Sequence, residues 1–270
     1  AIVLANPLSD ERSVLRTSLL PGLLEAAARV RRHHIGVVAQ LFEVARVFQP
    51  REGPRLPREP LRFALLLLGQ RREWVGDRGE LDFYDGKGAL GTTLEAAFGL
   101  SIETRDEDVS SWPFLHPRRA ARVYVAGRPV GVLGELHPDV VDASELDGRP
   151  VFAELEVDDL IELVRDAGLP QAQPLPRYPA VQRDVALVVA EQVQAGAVAR
   201  LLEEAGRPLA EAVELFDIYR GAPVPAGHKS LAFRIAYRDP DATLTDARVD
   251  AAHGAAVQAA RTRLGAVARD

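Results

Sequence analysis

The sequence predicts an α+β fold in two domains, with residues 1–172 built on an antiparallel sheet and residues 173–270 forming a smaller βαββαβ unit. Three observations carry this reading. The stretch Gly168-Leu-Pro-Gln-Ala-Gln-Pro-Leu-Pro-Arg-Tyr-Pro179 holds four prolines in twelve residues, which denies it both helix and ladder hydrogen bonding and marks a linker. Upstream of that break, strand-like runs outnumber helical ones and turn back on each other as hairpins. Downstream, apolar residues recur first at period two and then at period three to four, in the order of a βαββαβ unit.

In the first domain, the order begins with a helix over residues 21–32 and a strand over 41–48. An exposed loop follows at 51–60, where three prolines alternate with charges. A strand at 62–68 and a helix at 86–98 come next. Strands at 122–125 and 130–135 turn at Ala126-Gly127-Arg128, so the sheet is antiparallel rather than doubly wound. A strand over 151–157 closes the domain. In the second domain the expected elements are a strand at 184–189, a helix at 194–205, strands at 213–219 and 230–237, a helix at 245–264 and a short strand within 265–270. Val185, Leu187 and Val189 alternate, while Val249, Ala252, Ala256, Ala260 and Leu264 recur at helical spacing. Thr245 is a natural N-cap, with Asp246 placed where the helix dipole favours negative charge. Two helices on one face of a four-stranded antiparallel sheet is the ferredoxin-like arrangement.

Composition narrows the function. With 47% apolar and 27% charged residues the chain can bury a core, which excludes disorder. No apolar run approaches the roughly 18 residues that span a bilayer, and residues 1–10 lack the basic start of a signal peptide. The expected address is cytoplasmic, without a membrane partner. Zero cysteines remove disulfides, thiolate metal sites and cysteine nucleophiles. Zero methionines and an alanine at position 1 predict a segment of a longer polypeptide. Residues 1–174 carry 21 basic and 27 acidic side chains against 12 and 12 in residues 175–270, so a polyanion would prefer the second part.

No catalytic constellation emerges. His116-Pro117 and His137-Pro138 each follow a Leu and read as turn residues, and His33-His34 as a solvated helix end. Gly86-Lys-Gly88 lacks phosphate-loop spacing, there is no nucleophile elbow, and no metal site is expected. A free-standing hydrolase using His116 or His137 would need an acid partner beside one of them.

Five segments in register carry a resemblance. They are Ala5-Asn-Pro-Leu-Ser-Asp-Glu-Arg-Ser-Val-Leu-Arg-Thr-Ser-Leu-Leu-Pro-Gly-Leu-Leu24; Leu41-Phe-Glu-Val-Ala-Arg-Val-Phe48; Asp82-Phe-Tyr-Asp-Gly-Lys-Gly88; Phe114-Leu-His-Pro117; and Gly131-Val-Leu-Gly-Glu-Leu-His-Pro138. Together they resemble the C-terminal portion of the bacterial phenylalanyl-tRNA synthetase beta subunit family. Leu175-Pro-Arg-Tyr-Pro-Ala-Val-Gln-Arg-Asp184, Leu215-Phe-Asp-Ile-Tyr219 and Gly227-His-Lys-Ser230 continue it into that family's ferredoxin-fold anticodon-binding domain. Two departures from the pattern occur: Ala45 stands where it has Gly, and the stretch Val30 to His34 lacks its Asn.

The resemblance implies that residues 1–172 are a class II synthetase-like domain without an active site. In agreement, no Gly-x-Gly-x-Gly-x-x-Arg motif occurs and Arg46 lacks an Arg-x-Glu context. It further implies a heterotetramer of two alpha and two beta subunits that uses ATP and magnesium, with neither held by this segment. The catalytic alpha subunit would be contacted through residues 6–20 and the helix at 21–30. The substrate would be phenylalanine tRNA.

For residues 173–270, strand alternation puts Asp217 and Tyr219 on one side of a strand, and Ser230, Ala232 and Arg234 on one side of the next; Val213 and Leu215 share the parity of Asp217, which requires either a bulge near Leu215 or an early part of the strand covered on both faces. The resemblance implies that Tyr219 stacks on the first anticodon base, a guanine, and that Asp217 and Ser230 hydrogen-bond it. Guanine offers adjacent N1–H and N2–H donors that one carboxylate can accept. Lys229, Arg234 and Arg183 are the expected phosphate contacts. The alternative is a ferredoxin-like regulatory module sensing a small molecule, which would contact its ligand at helix starts.

Overall fold

The computed structural model describes residues 2–33, 38–53, 56–71, 79–168 and 174–269. His34, and residues 169–173 of the proline-rich linker, lie outside them. The chain separates into two compact units, Ala1–Gln171 and Ala172–Asp270, and no described helix is long and apolar enough to cross a membrane.

The first unit opens with a short ribbon of β1 (Ile2–Val3) and β2 (Val14–Leu15), followed by α1 (Leu20–His33). Then come β3 (Ala39–Arg46), β4 (Leu61–Leu68), α2 (Phe83–Phe98), β5 (Ile102–Arg105), β6 (Leu115–Val125), β7 (Arg128–Leu136), α3 (Pro138–Ala143), β8 (Val151–Glu156) and α4 (Val157–Ala167). Six strands form one antiparallel sheet in the order β3-β4-β8-β7-β6-β5. α1 packs on β3 and β4, while α2 and α4 pack against β7, β8 and β4. Residues Leu66, Val132 and Phe152 bury on the α1 side, and Leu65, Leu133, Val151 and Leu155 on the other. Coverage of both faces explains why β4 ends in an unbroken Leu run instead of alternating.

Four differences from the sequence reading have local causes. The apolar face of α1, expected to meet a partner, fills the unit's own core, with Leu23 and Ala27 buried against β3 and β4. The strand at 151–157 stops at Glu156, where α4 begins. β5 was not anticipated, because four edge residues with one apolar side chain carry no periodic signal. Thr245 does hold an extended N-cap backbone, but its side chain accepts no hydrogen bond from the helix.

The Asp82-to-Gly88 motif proves to be a helix start. Asp82 accepts from the backbone N–H groups of Tyr84 and Asp85, and the Asp85 carboxylate accepts from Asp82 N–H, a reciprocal cap. Arg71 ties both carboxylates together, and this contact from the Arg71 guanidinium offsets the burial of Asp85 and holds its carboxyl below the ordinary range. Gly86 lets α2 approach the sheet, since a Cβ there would sit 2.5 Å from Val151 Cγ1.

The second unit contains β9 (Val181–Ala190), α5 (Ala195–Gly206), β10 (Ala210–Tyr219), β11 (His228–Tyr237), α6 (Asp246–Leu264) and β12 (Val267–Arg269). Its antiparallel sheet runs β10-β11-β9-β12, with α5 and α6 packed on each other and on one face. Leu187, Val189, Leu231, Phe233, Ile235 and Tyr237 form the core beneath them with Val198, Leu202, Val249 and Ala256. The opposite sheet face carries no helix of this unit.

The β7–β8 contact makes a testable demand on Gly131, where an added Cβ would lie 2.1 Å from the Glu154 carbonyl oxygen. Gly131→Ala is therefore expected to destabilise the protein by about 2 kcal/mol or more. Gly88, exposed in α2 with nothing within 4 Å of its would-be Cβ, should tolerate Ala or gain up to about 1 kcal/mol. Urea midpoints of the two variants check both; coincident midpoints would contradict this packing.

Candidate nucleic-acid interface

The open face of the second unit is organised by the hairpin β10–β11. Tyr219 pairs with Ser230, Asp217 with Ala232 and Leu215 with Phe233, so Phe216 between them has no partner of its own. This bulge reverses parity along the strand. Val213 and Leu215 pack on the helix side, whereas Phe216, Asp217 and Tyr219 stand exposed. Of the two alternatives for Val213 and Leu215, a bulge or burial on both faces, the register shows the bulge, which also leaves Phe216 exposed.

Three of the rows that cross the open face surround these exposed groups. Tyr219, Ser230, Val188 and Val267 form the first, and Asp217, Ala232, Ala186 and Arg269 the second. Glu214, Arg234 and Asp184 form the third. In the middle row, two small alanines leave a shallow floor between a carboxylate and a guanidinium. Asp217 makes no hydrogen bond or ion pair among the described residues. Its acceptors are available. The Tyr219 hydroxyl donates to Ala222 O at 2.7 Å, which fixes the ring, and the Arg269 guanidinium lies 5.5 Å from the ring centroid. Ser230 is 4% exposed, directly across the ladder from Tyr219.

Arg234 is held at three points. It donates to both carboxylate oxygens of Asp184, at 2.9 and 2.8 Å, and its guanidinium sits 5.1 Å from the Phe216 ring centroid. The Arg234 contact holds the Asp184 carboxyl below the ordinary range. This bidentate cross-strand pair keeps an aromatic ring and a cation stacked beside the floor.

The other two expected phosphate contacts stand elsewhere. Lys229 pairs in register with buried Val189, and Arg183 with buried Ile235, so alternation turns both toward the helices. Lys229 Nζ donates to Glu191 O at 2.7 Å with its side chain 12% exposed. Arg183 bridges Asp246 and Asp250 of α6. Neither shares a face with Asp217, Tyr219 and Arg234. Arg269, missed because a three-residue terminal strand gives no pattern, takes a place there instead.

In the first unit His116 and His137 act locally. His116 Nδ1 accepts from Arg118 N–H, and His137 Nδ1 accepts from Asp139 N–H as the N-cap of α3. Gly86-Lys-Gly88 lies within α2. Among the described residues, no group of three or more His, Asp or Glu is arranged to hold a metal.

Residues 1–157 match the family model described as "Phenylalanyl tRNA synthetase beta chain CLM domain", and residues 176–269 match "Ferredoxin-fold anticodon binding domain". The chain is 46% identical over 272 aligned residues to the phenylalanine–tRNA ligase beta subunit of Moorella thermoacetica, and 42% identical over 270 to that of Geobacillus kaustophilus. These alignments cover 99% of the chain but 33% of each relative, so the chain spans about a third of their length. A single family model covering more than half the chain, reinforced by a second over the open-faced unit, establishes that the chain belongs to the phenylalanyl-tRNA synthetase beta chain family.

Proposed function

We propose that this chain is the non-catalytic C-terminal part of a phenylalanine–tRNA ligase beta subunit, in which the second unit grips the tRNA anticodon and the first supports the catalytic alpha subunit. The observation that carries the first half is the common face of Asp217 and Tyr219, with Ser230 opposite Tyr219 on the neighbouring strand. An exposed aromatic beside an unengaged carboxylate is suited to a splayed-out base, the ring taking its π-face and the carboxylate its N1–H and N2–H donors. Ser230 lies beneath that base, where its hydroxyl gives or accepts a hydrogen bond. Arg234 supplies positive charge on the same face. ATP and magnesium belong to the alpha subunit in this reading, and the assembly is the two-alpha, two-beta heterotetramer.

For the partner contact, α1 has no apolar face to spare. The exposed side of edge strand β3 does, with Phe42 74% and Val44 52% exposed and Phe42 stacked on Phe63. We assign the alpha-subunit contact to this strip.

Four outcomes test the proposal. Base stacking on an aromatic is worth about 1–3 kcal/mol, so Tyr219→Ala in the assembled enzyme should raise the tRNA KM about tenfold or more. Tyr219→Phe, which keeps the ring, should stay near the parent, and phenylalanine activation without tRNA should be unchanged in both. Normal tRNA kinetics for the Ala variant would remove the stacking role.

Asp217→Asn trades a carboxylate acceptor for an amide donor facing guanine's donors. It should lower the preference for guanine over adenine at the first anticodon position more than it lowers overall affinity. Aminoacylation of the two transcripts measures this, and undiminished discrimination removes Asp217 from the site. Phe42→Glu should leave circular dichroism unchanged yet abolish co-purification with the alpha subunit; retained assembly places the contact elsewhere. Calorimetric titration of the isolated beta subunit with magnesium-ATP should show no stoichiometric low-micromolar binding, and such binding would sink the scaffold reading.

A further inference from the structure

A cleft beside the proposed anticodon face is not used by the reading above. β12 pairs with β9 only from Ala186 to Val188, so among the described residues no strand flanks the first half of β9 on that side. α6 borders the gap. The resulting cleft has a volume of about 390 Å³, and its lining includes Asp184, His253, Gly254, Gln258, Arg261 and Arg269. That volume lies toward the small end of ligand-sized pockets, roughly 300–1,000 Å³.

Its chemistry suits a phosphodiester. Asp184 is already paired with Arg234. His253 has its Nδ1 at 3.1 Å from the Tyr237 hydroxyl, and burial together with nearby Arg183 lowers its pKa, so it adds no charge at neutral pH. The net positive charge of the lining therefore comes from Arg261 and Arg269, and Arg261 is exposed and makes no ion pair among the described residues. Gln258 adds an amide with both donor and acceptor capacity. Arg269 belongs to two places at once: it lines the cleft and its guanidinium lies over the Tyr219 ring. An RNA strand leaving a base on Tyr219 meets this residue first.

We propose that the cleft between α6 and the uncovered edge of β9 holds the nucleotide adjacent to the one on Tyr219, its phosphate between Arg269 and Arg261 and its ribose or base edge against Gln258. The proposal rests on the anticodon-binding reading and extends the RNA path beyond the open face. It also gives Gly254 a role. Gly254 lies inside α6, is exposed, and has nothing within 4 Å of its would-be Cβ, so a larger side chain there enters the cleft without disturbing the core.

The test uses the full-length protein assembled with its partner subunit and an anticodon stem-loop RNA, with affinity measured by fluorescence anisotropy across a salt series. Gly254→Leu should fold as the parent does and raise Kd severalfold by filling the cleft. Arg261→Ser should raise Kd about tenfold, as expected for one charge-assisted contact. It should also make the slope of log K against log salt shallower by about 0.7, one phosphate on a single strand. Tyr219→Ala is the control for the parent reading. If it weakens binding while Gly254→Leu and Arg261→Ser match the parent in affinity and salt slope, the cleft proposal is overturned and the anticodon reading stands. If all three match the parent, both fall. Should Gly254→Leu leave RNA affinity unchanged but release a co-purifying polypeptide, the cleft is a strand-addition site and the RNA proposal is overturned.

Discussion

The register of one strand, β11, governs everything that the second unit presents to its surroundings. Leu231, Phe233, Ile235 and Tyr237 are all fully buried under α5 and α6, and a slip of one residue would turn all four outward. Their burial therefore locks Ser230, Ala232 and Arg234 onto the other face. Because β11 is paired on both sides, it passes that choice to β10 and β9. Asp184 then meets Arg234, and Lys229 and Arg183 are carried to the helix side. A hydrophobic constraint on one face thus sets the polar arrangement on the other.

The bulge at Phe216 is a place where this rule is relaxed, in the strand that forms one edge of the sheet. Without it, Asp217 and Tyr219 would share the helix-facing parity of Val213 and Leu215. With it, β10 contributes packing in its first half and exposed groups in its second. The extra residue adds an aromatic ring to the surface, and the Arg234–Asp184 pair stacks against it. A strand near the sheet edge tolerates such a break because only one ladder is disturbed.

The first unit follows a different logic. Helices on both faces leave its sheet little room for a binding surface, and its few buried charges are tied into the framework. Glu154, 3% exposed, accepts from Ser18 Oγ and Leu19 N–H and pairs with Arg62, which also reaches Glu156. A buried carboxylate is tolerated only with such partners. This network joins the segment leading into α1 to the middle of the sheet. Edge strand β3 carries two outward-facing apolar side chains, Phe42 and Val44.

Local pattern in the sequence was sufficient for the long elements. Period-two alternation marks β9, the spacing of Val249, Ala256 and Ala260 marks α6, and the prolines mark the break between units, because each of these is a property of neighbouring residues. It also placed Asp217 and Tyr219 on a common face, but left a bulge near Leu215 and a strand covered on both faces as alternatives. The family likeness was legible too, since it rests on motif order. Tertiary structure decided the rest. Whether the apolar stripe of α1 meets its own sheet or a partner depends on what packs against it. Whether Arg183, Lys229 or Arg234 lies on the open face depends on which side of β11 the helices cover. Ser230 meets Tyr219 because β10 and β11 pair in that register, and Arg269 reaches the Tyr219 ring because β12 returns along β9. These are long-range pairings, and no window of sequence contains both of their partners.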